Sequence, residues 1–527
     1  MNSHYNNIGA GLIVLAAAMV AGLAPPALAA DADALYQRHC AECHGANRLG
    51  GIGPALLPEN LVRLNKPQAA KIIAEGGAAT RMPGFADSLT EDQVASLVEL
   101  VFTPLPSVPD WTMADIERSL VRPTPPETLP DRPAYAADPL NLFVVVESGD
   151  HHVTILDGDR FEAIARFPSR HALHGGAKFS PDGRYTYLMS RDGWVSKYDL
   201  YGLTVVAEVR AGINARNIAI SHDGRVIAVA NYLPHTLVLL DARDLTPLKV
   251  VAATDERGTA TSRVSAVYQA APRASFVVAL KDIAELWEMS YAADPPATYS
   301  GLVHSYEQGM EEALPAATGS FPIRRTLLDQ PIDDFFFTPG YEALVGSARD
   351  GNGAVVVNLD VRRAIAALPL PGLPHLGSGI SWLRGGRRLM ATPNIKQGRV
   401  SIIDLKDWRL VKTIATAGPG FFLRSHENSR YAWVDCSLGA EPDQIQLIDK
   451  ETLEIAATLR PAPGKPANHV EFTRDGRYAL VSVATMDGAV VVYDAETLKE
   501  VKRLPMSKPS GKYNVFNKIH LSDGTSH

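Results

Sequence analysis

From Asn141 onward the chain repeats an apolar run that closes on a hydrophobic residue followed by Asp. The pair stands at Leu156-Asp157, Tyr198-Asp199, Leu240-Asp241, Leu359-Asp360, Ile403-Asp404, Ile448-Asp449 and Tyr493-Asp494, with Trp287-Glu288 as a degenerate copy. Most intervals are about 42 to 47 residues, the length of a four-stranded propeller blade. A second mark falls at matching points: Asp182-Gly183-Arg184, Asp223-Gly224-Arg225, Gly385-Gly386-Arg387 and Asp475-Gly476-Arg477 read as tight hairpin turns. Together they predict an all-β propeller of eight blades over residues 141–527. The long interval between Glu288 and Asp360 predicts an insertion over 291–328. Insertions on one face of such repeats are often near binding sites.

The pattern ahead of residue 141 is different. Val94, Leu97, Val98 and Val101 recur at helical spacing behind Thr90-x-x-Gln93, a capping box, and place a small all-α domain over 31–103. Residues 104–140 carry Pro104, Pro106, Pro109, Pro123, Pro125, Pro126, Pro130, Pro133 and Pro139, with one short helix expected over 112–120. Proline stiffens such a connector, so the two domains are expected to be held at a limited range of separations. Residues 8–24 are apolar and Ala-rich and precede Pro25-Pro26 and Ala27-Leu28-Ala29. That predicts an export signal over 1–30 and a periplasmic mature protein, the run being shorter than the ~20 residues of a membrane span.

Composition narrows the class. With 46% hydrophobic and 21% charged residues and a net charge of −7, the chain is globular and lacks the basic surface that nucleic acid demands. Its three cysteines exclude a disulfide framework. Cys436 stands alone and reads as a small buried residue. Cys40 and Cys43 belong to Cys40-Ala41-Glu42-Cys43-His44, in which two thiols form thioethers with haem vinyls and the histidine ligates iron. Met82, in the loop Arg81-Met82-Pro83-Gly84-Phe85, is the expected sixth ligand of this covalent haem c. The first domain thus resembles a class I cytochrome c.

This order of cytochrome c and propeller resembles the cytochrome cd1 family across nearly the whole mature chain. His174-Gly175-Gly176 before Phe179-Ser180-Pro181-Asp182-Gly183-Arg184-Tyr185, and the closing Ser510-Gly511-Lys512-Tyr513-Asn514-Val515-Phe516-Asn517, carry the likeness. The family includes a nitrite reductase whose propeller holds haem d1. It also includes a biosynthetic branch, a dehydrogenase that oxidises a propionate of dihydro-haem d1 to acrylate.

Histidines favour the second branch. The resemblance implies His174 as proximal iron ligand and His375, in Leu373-Pro374-His375-Leu376-Gly377, as a distal one. The second distal histidine of the reductase would fall in Gln330-Pro331-Ile332-Asp333-Asp334-Phe335, which has none. Nitrite reduction needs both proton donors. His469 stands where the reductase pattern has no histidine and is the candidate base, with Tyr232 as its rival. Arg216 matches a family position that pairs with tetrapyrrole carboxylates, and Arg191 and Arg263 are further candidates. Haem d1 or its dihydro precursor is thus the expected propeller ligand. Electrons would leave through haem c to a periplasmic acceptor, and product would pass to the cytochrome cd1 nitrite reductase. A nitrite reductase and a non-catalytic haem d1 carrier remain the alternatives.

Overall fold

The computed structural model describes residues 26–77, 80–295, 298–299, 316–317, 319–348 and 353–525. The apolar stretch 8–24 and much of the expected insertion lie outside the described residues.

The first domain packs the helices Pro26–His39, Lys66–Glu75 and Glu91–Val101 around Leu35, Tyr36, Leu89, Val94, Leu97 and Val101. The expected capping box forms: the Gln93 backbone N–H donates to Thr90 Oγ1 at 3.3 Å, and the Thr90 N–H donates to Gln93 Oε1 at 2.9 Å. The second domain is a ring of eight four-stranded antiparallel sheets. In chain order these blades span 142–168, 173–210, 214–252, 264–327, 332–368, 380–415, 423–459 and 467–506. The first blade takes its innermost strand from the far end of the chain. Pro509–Asn514 pairs antiparallel with Leu142–Glu147, Tyr513 opposite Val144, which closes the ring and leaves no sheet edge there open.

The strand-ending Asp has a local physical cause. The Asp that ends a blade's third strand accepts backbone N–H groups from the turn that follows: Asp404 takes those of Lys406 at 2.9 Å and Asp407 at 3.2 Å. Asp494 takes those of Glu496 and Thr497 at 3.2 and 2.8 Å. These Asx turns redirect the chain into the outer strand. The Arg after the first hairpin turn then reaches the same carboxylate in several blades: Arg184 Nε lies 2.9 Å from Asp199, Arg387 Nε 2.5 Å from Asp404 and Arg430 Nε 2.7 Å from Asp449.

Two expectations change. The pair Leu359-Asp360 follows its strand, Ala354–Asn358, and Asn358 makes the turn instead, accepting from the N–H groups of Asp360 and Val361 at 2.9 and 3.0 Å. An amide oxygen accepts these bonds as a carboxylate does. The expected insertion is too long, because Ile323–Leu327 is the outer strand of the fourth blade, paired with Glu285–Ser290. The connector lies against the propeller. Its helix, Met113–Ser119, buries Ile116 against the second and third blades, and Val121 bridges to Glu208.

Candidate functional site

Cys40, Cys43 and His44 come together on the short helical turn Ala41–His44, with Cys43 exposed and His44 buried. His44 Nδ1 donates to the carbonyl of Pro54 at 2.7 Å, which leaves the Nε2 lone pair as a ligand. Gly53 makes room for the ring, since a Cβ there would fall 2.7 Å from His44 Cε1. The Met82 segment is held by its own loop, its backbone N–H donating to Thr80 Oγ1 at 3.1 Å and its carbonyl accepting from Gly77 at 3.1 Å. Nearby Phe85 shares one apolar cluster with Cys40. The donor set fits a c-type haem.

The propeller candidates converge on the axial space inside the ring. In three inner strands the ladder slips where one sits, between His174 and Lys178, at Arg216 and at His469, and a fourth slip falls at Asp333 and Asp334. A bulge turns a side chain out of the pleat and into the centre. His174 is clamped by Arg216 from two directions, its ring lying 3.0 Å from the Arg216 carbonyl through Nδ1 and 2.6 Å from Arg216 Nη1 through Nε2. A guanidinium only donates, so Nδ1 carries the proton and Nε2 presents its lone pair. His375 Nδ1 lies 2.6 Å from the Phe421 carbonyl, which assigns its Nε2 the same role. Burial above all, then Arg216 and Arg191, pushes the His174 pKa well below the ordinary range; burial also lowers that of His375. Both imidazoles are neutral and fit an iron ligand.

His469 is buried at 1% exposure, edge-on to Phe422 and Tyr513 with ring centroids 4.7 and 5.0 Å away. Burial, reinforced by Lys512, Arg424 and Lys518, holds it neutral far below its usual pKa. Its Nε2 is buried and has no hydrogen-bond partner within the protein. The backbone N–H of Lys512 donates weakly to Nδ1 at 3.4 Å, and the backbone of His469 itself opposes the downward shift.

The cations divide into two kinds. Arg263 is committed to Asp282 through two contacts at 2.8 and 2.7 Å, and Lys281 pairs with Asp333. Both flank Tyr232, the Arg263 guanidinium carbon 5.4 Å and the Lys281 ammonium 5.6 Å from its ring centre, with Arg216 at 6.0 Å. Among the described residues no carboxylate forms an ion pair with Arg191 or Arg216. Arg191 Nε is buried without a partner, and burial, then Arg216 and Arg63, pushes its pKa down to about 10. Such uncompensated charge fits a ligand that brings its own carboxylates.

Residues that no motif marked stand beside these groups. Arg424 is 4% exposed and donates from Nη1 to the Leu423 carbonyl at 2.8 Å. Tyr268 donates to Asp334 at 2.9 Å, and Asp334 also accepts the Gly377 N–H at 2.7 Å, fixing the loop behind His375. Arg210 joins the two domains, donating from Nε to the Asp192 carbonyl at 2.9 Å and from Nη2 to the Leu49 carbonyl at 2.6 Å.

Residues 137–518 match the family described as Cytochrome D1 heme domain, and residues 27–101 match Cytochrome C oxidase, cbb3-type, subunit III. The chain belongs to the cytochrome d1 haem domain family, with a cytochrome c domain ahead of the eight-bladed propeller. It is similar to the dihydro-heme d1 dehydrogenase of Pseudomonas aeruginosa, 58% identical over 98% of this chain and 100% of that protein. The solved structure of dihydro-heme d1 dehydrogenase NirN in complex with DHE superposes with a TM-score of 0.86 at 58% identity, covering 93% of this chain and 100% of that one. The nitrite reductase of Stutzerimonas stutzeri is more distant, 24% identical over 97% of each chain.

Proposed function

We propose that the protein oxidises a propionate side chain of dihydro-haem d1 to the acrylate of haem d1 in the periplasm and delivers the electrons to its own haem c. The observation that carries this reading is 58% identity over nearly the whole chain to an enzyme of that name. The site agrees in chemistry, with two neutral imidazoles offering lone pairs beside guanidiniums that lack counter-ions.

The conversion turns CH2–CH2 into CH=CH and releases two protons and two electrons. His174 and His375 would hold the substrate iron through their Nε2 lone pairs. Ligation takes the His174 lone pair from Arg216, and the freed guanidinium turns to a substrate carboxylate. His469, or Tyr232 in its place, takes a proton from the carbon chain. So weak a base does not ionise an aliphatic C–H unaided; proton removal therefore accompanies electron removal. Cys40, Cys43, His44 and Met82 would hold haem c, which would supply one-electron acceptance on the way to a periplasmic acceptor. Product then passes to the cytochrome cd1 nitrite reductase.

The purified protein with haem c attached, given dihydro-haem d1 and an oxidised acceptor, should develop the acrylate chromophore. Binding with an unchanged chromophore would identify a carrier instead. His469→Ala should slow turnover by about 100-fold while the bound-substrate spectrum persists. Turnover of His469→Ala at the normal rate assigns the proton to Tyr232, for which Tyr232→Phe is the check.

A further inference from the structure

One cation at the propeller mouth comes from the other domain. The cytochrome's turn 57–64 is seated on the start of the third blade: Asn60 Nδ2 donates to the Ile213 carbonyl at 3.1 Å, and Asn214 Nδ2 donates to the Glu59 carbonyl at 3.0 Å. Leu57, 1% exposed, is buried in one cluster with Ala55, Ile213 and Leu233. Arg63 is carried by this turn, and Arg216 lies two residues beyond Asn214 in the strand it sits on. Among the described residues Arg63 forms no hydrogen bond or ion pair with a carboxylate, although it is exposed in a chain of net charge −7. The docked turn thus sets Arg63 beside the strand that carries Arg216, and burial first, then Arg216, lowers the Arg63 pKa, while Arg63 in turn is among the charges that lower that of Arg191. Three like charges gathered without an acid repel one another unless an anion lies between them.

We propose that Arg63 binds a carboxylate of the tetrapyrrole together with Arg191 and Arg216, so that the substrate site is completed by the cytochrome domain. This rests on the proposed function and adds a residue to it. Two consequences follow from linkage. Docking of the cytochrome raises affinity for the substrate, and the substrate in turn tightens docking by the same factor. The electron acceptor is thereby in place whenever the substrate is bound.

The test is optical titration of the full haem c-bearing protein with dihydro-haem d1 at low and high salt, read as binding and not as turnover. Arg63→Gln should weaken binding about tenfold and flatten its salt dependence, Arg63→Lys should recover part of the loss, and Lys71→Gln, which removes an exposed charge elsewhere on the same domain, should change neither. Arg63→Gln binding as wild type does, or Lys71→Gln losing as much, overturns the proposal. Should Arg63→Gln fail to fold, hydrogen exchange on the wild type decides: amides of residues 60–64 should slow when dihydro-haem d1 is added, and unchanged exchange sinks the idea. Wild type that binds but does not oxidise the tetrapyrrole refutes the proposed function while leaving the Arg63 comparison intact. Absence of binding refutes both.

Discussion

His469 shows what a single position contributes. It adopts φ +47°, a left-handed conformation uncommon for a side chain of its size, at the bulge between Asn468 and Val470. The strain is borne where the ring must leave the ladder and face the cavity. Its neutrality predicts a pH signature. The folded pKa lies well below the unfolded value near 6.5, so the unfolded chain binds the extra proton first as pH falls. Stability is therefore intact above pH 6.5 and is lost on acidification toward the depressed folded pKa, at about 1.4 kcal/mol per pH unit for this one group. Urea unfolding of wild type and His469→Gln should give parallel stabilities above pH 7 and a shallower acid decline for the variant. Equal slopes would place a protonated His469 in the folded protein. The sequence marked His469 only as a departure from a family pattern; its strain, burial and free Nε2 depend on strands far away in the chain.

The elements were the most legible part of the protein. Blade marks were visible because each Asp works locally, capping a turn within three residues of itself, and local chemistry is what a sequence displays. Asn358 escaped notice because it performs the same task with a different residue type. The outer strand Ile323–Leu327 escaped because it forms only by pairing with Glu285–Ser290, across a segment of unrelated pattern. Bulges were hidden for a similar reason, although Gly175-Gly176 gave a hint. Gly176 has φ +77°, and a Cβ there would fall 3.0 Å from Tyr513 Cε1 in the closing strand. Gly176→Ala should therefore cost about 1–2 kcal/mol of stability and displace the Tyr513 ring that supports His469. Thermal unfolding reads the first effect and dihydro-haem d1 titration the second; wild-type values in both would show that the strand relaxes without disturbing the site.

At the scale of the molecule, the relation between the domains was the least legible feature. Motifs identified each domain, but the contacts between them are made by carbonyls and by Asn60, Asn214 and Arg210, residue types too common to stand out. Arg210 is the clearest of these. It is 3% exposed, its guanidinium lies over the Trp111 ring at 4.7 Å, and it spans from the Leu49 carbonyl on the haem c loop to the Asp192 carbonyl, one residue beyond Arg191. Gly50 is part of the same fit, since a Cβ there would fall 2.7 Å from Arg210 Nη2. Burying this guanidinium is worthwhile only while both carbonyls are engaged. Arg210→Met keeps the apolar stem against Trp111 and removes both bonds, so about 2–4 kcal/mol of docking is lost while each domain keeps its own core. Reduction of haem c after mixing with dihydro-haem d1 should slow, and proteolysis between residues 104 and 110 should quicken, with the haem c spectrum unchanged. If haem c in Arg210→Met is reduced at the wild-type rate, electrons cross between the domains by a route that does not need this contact.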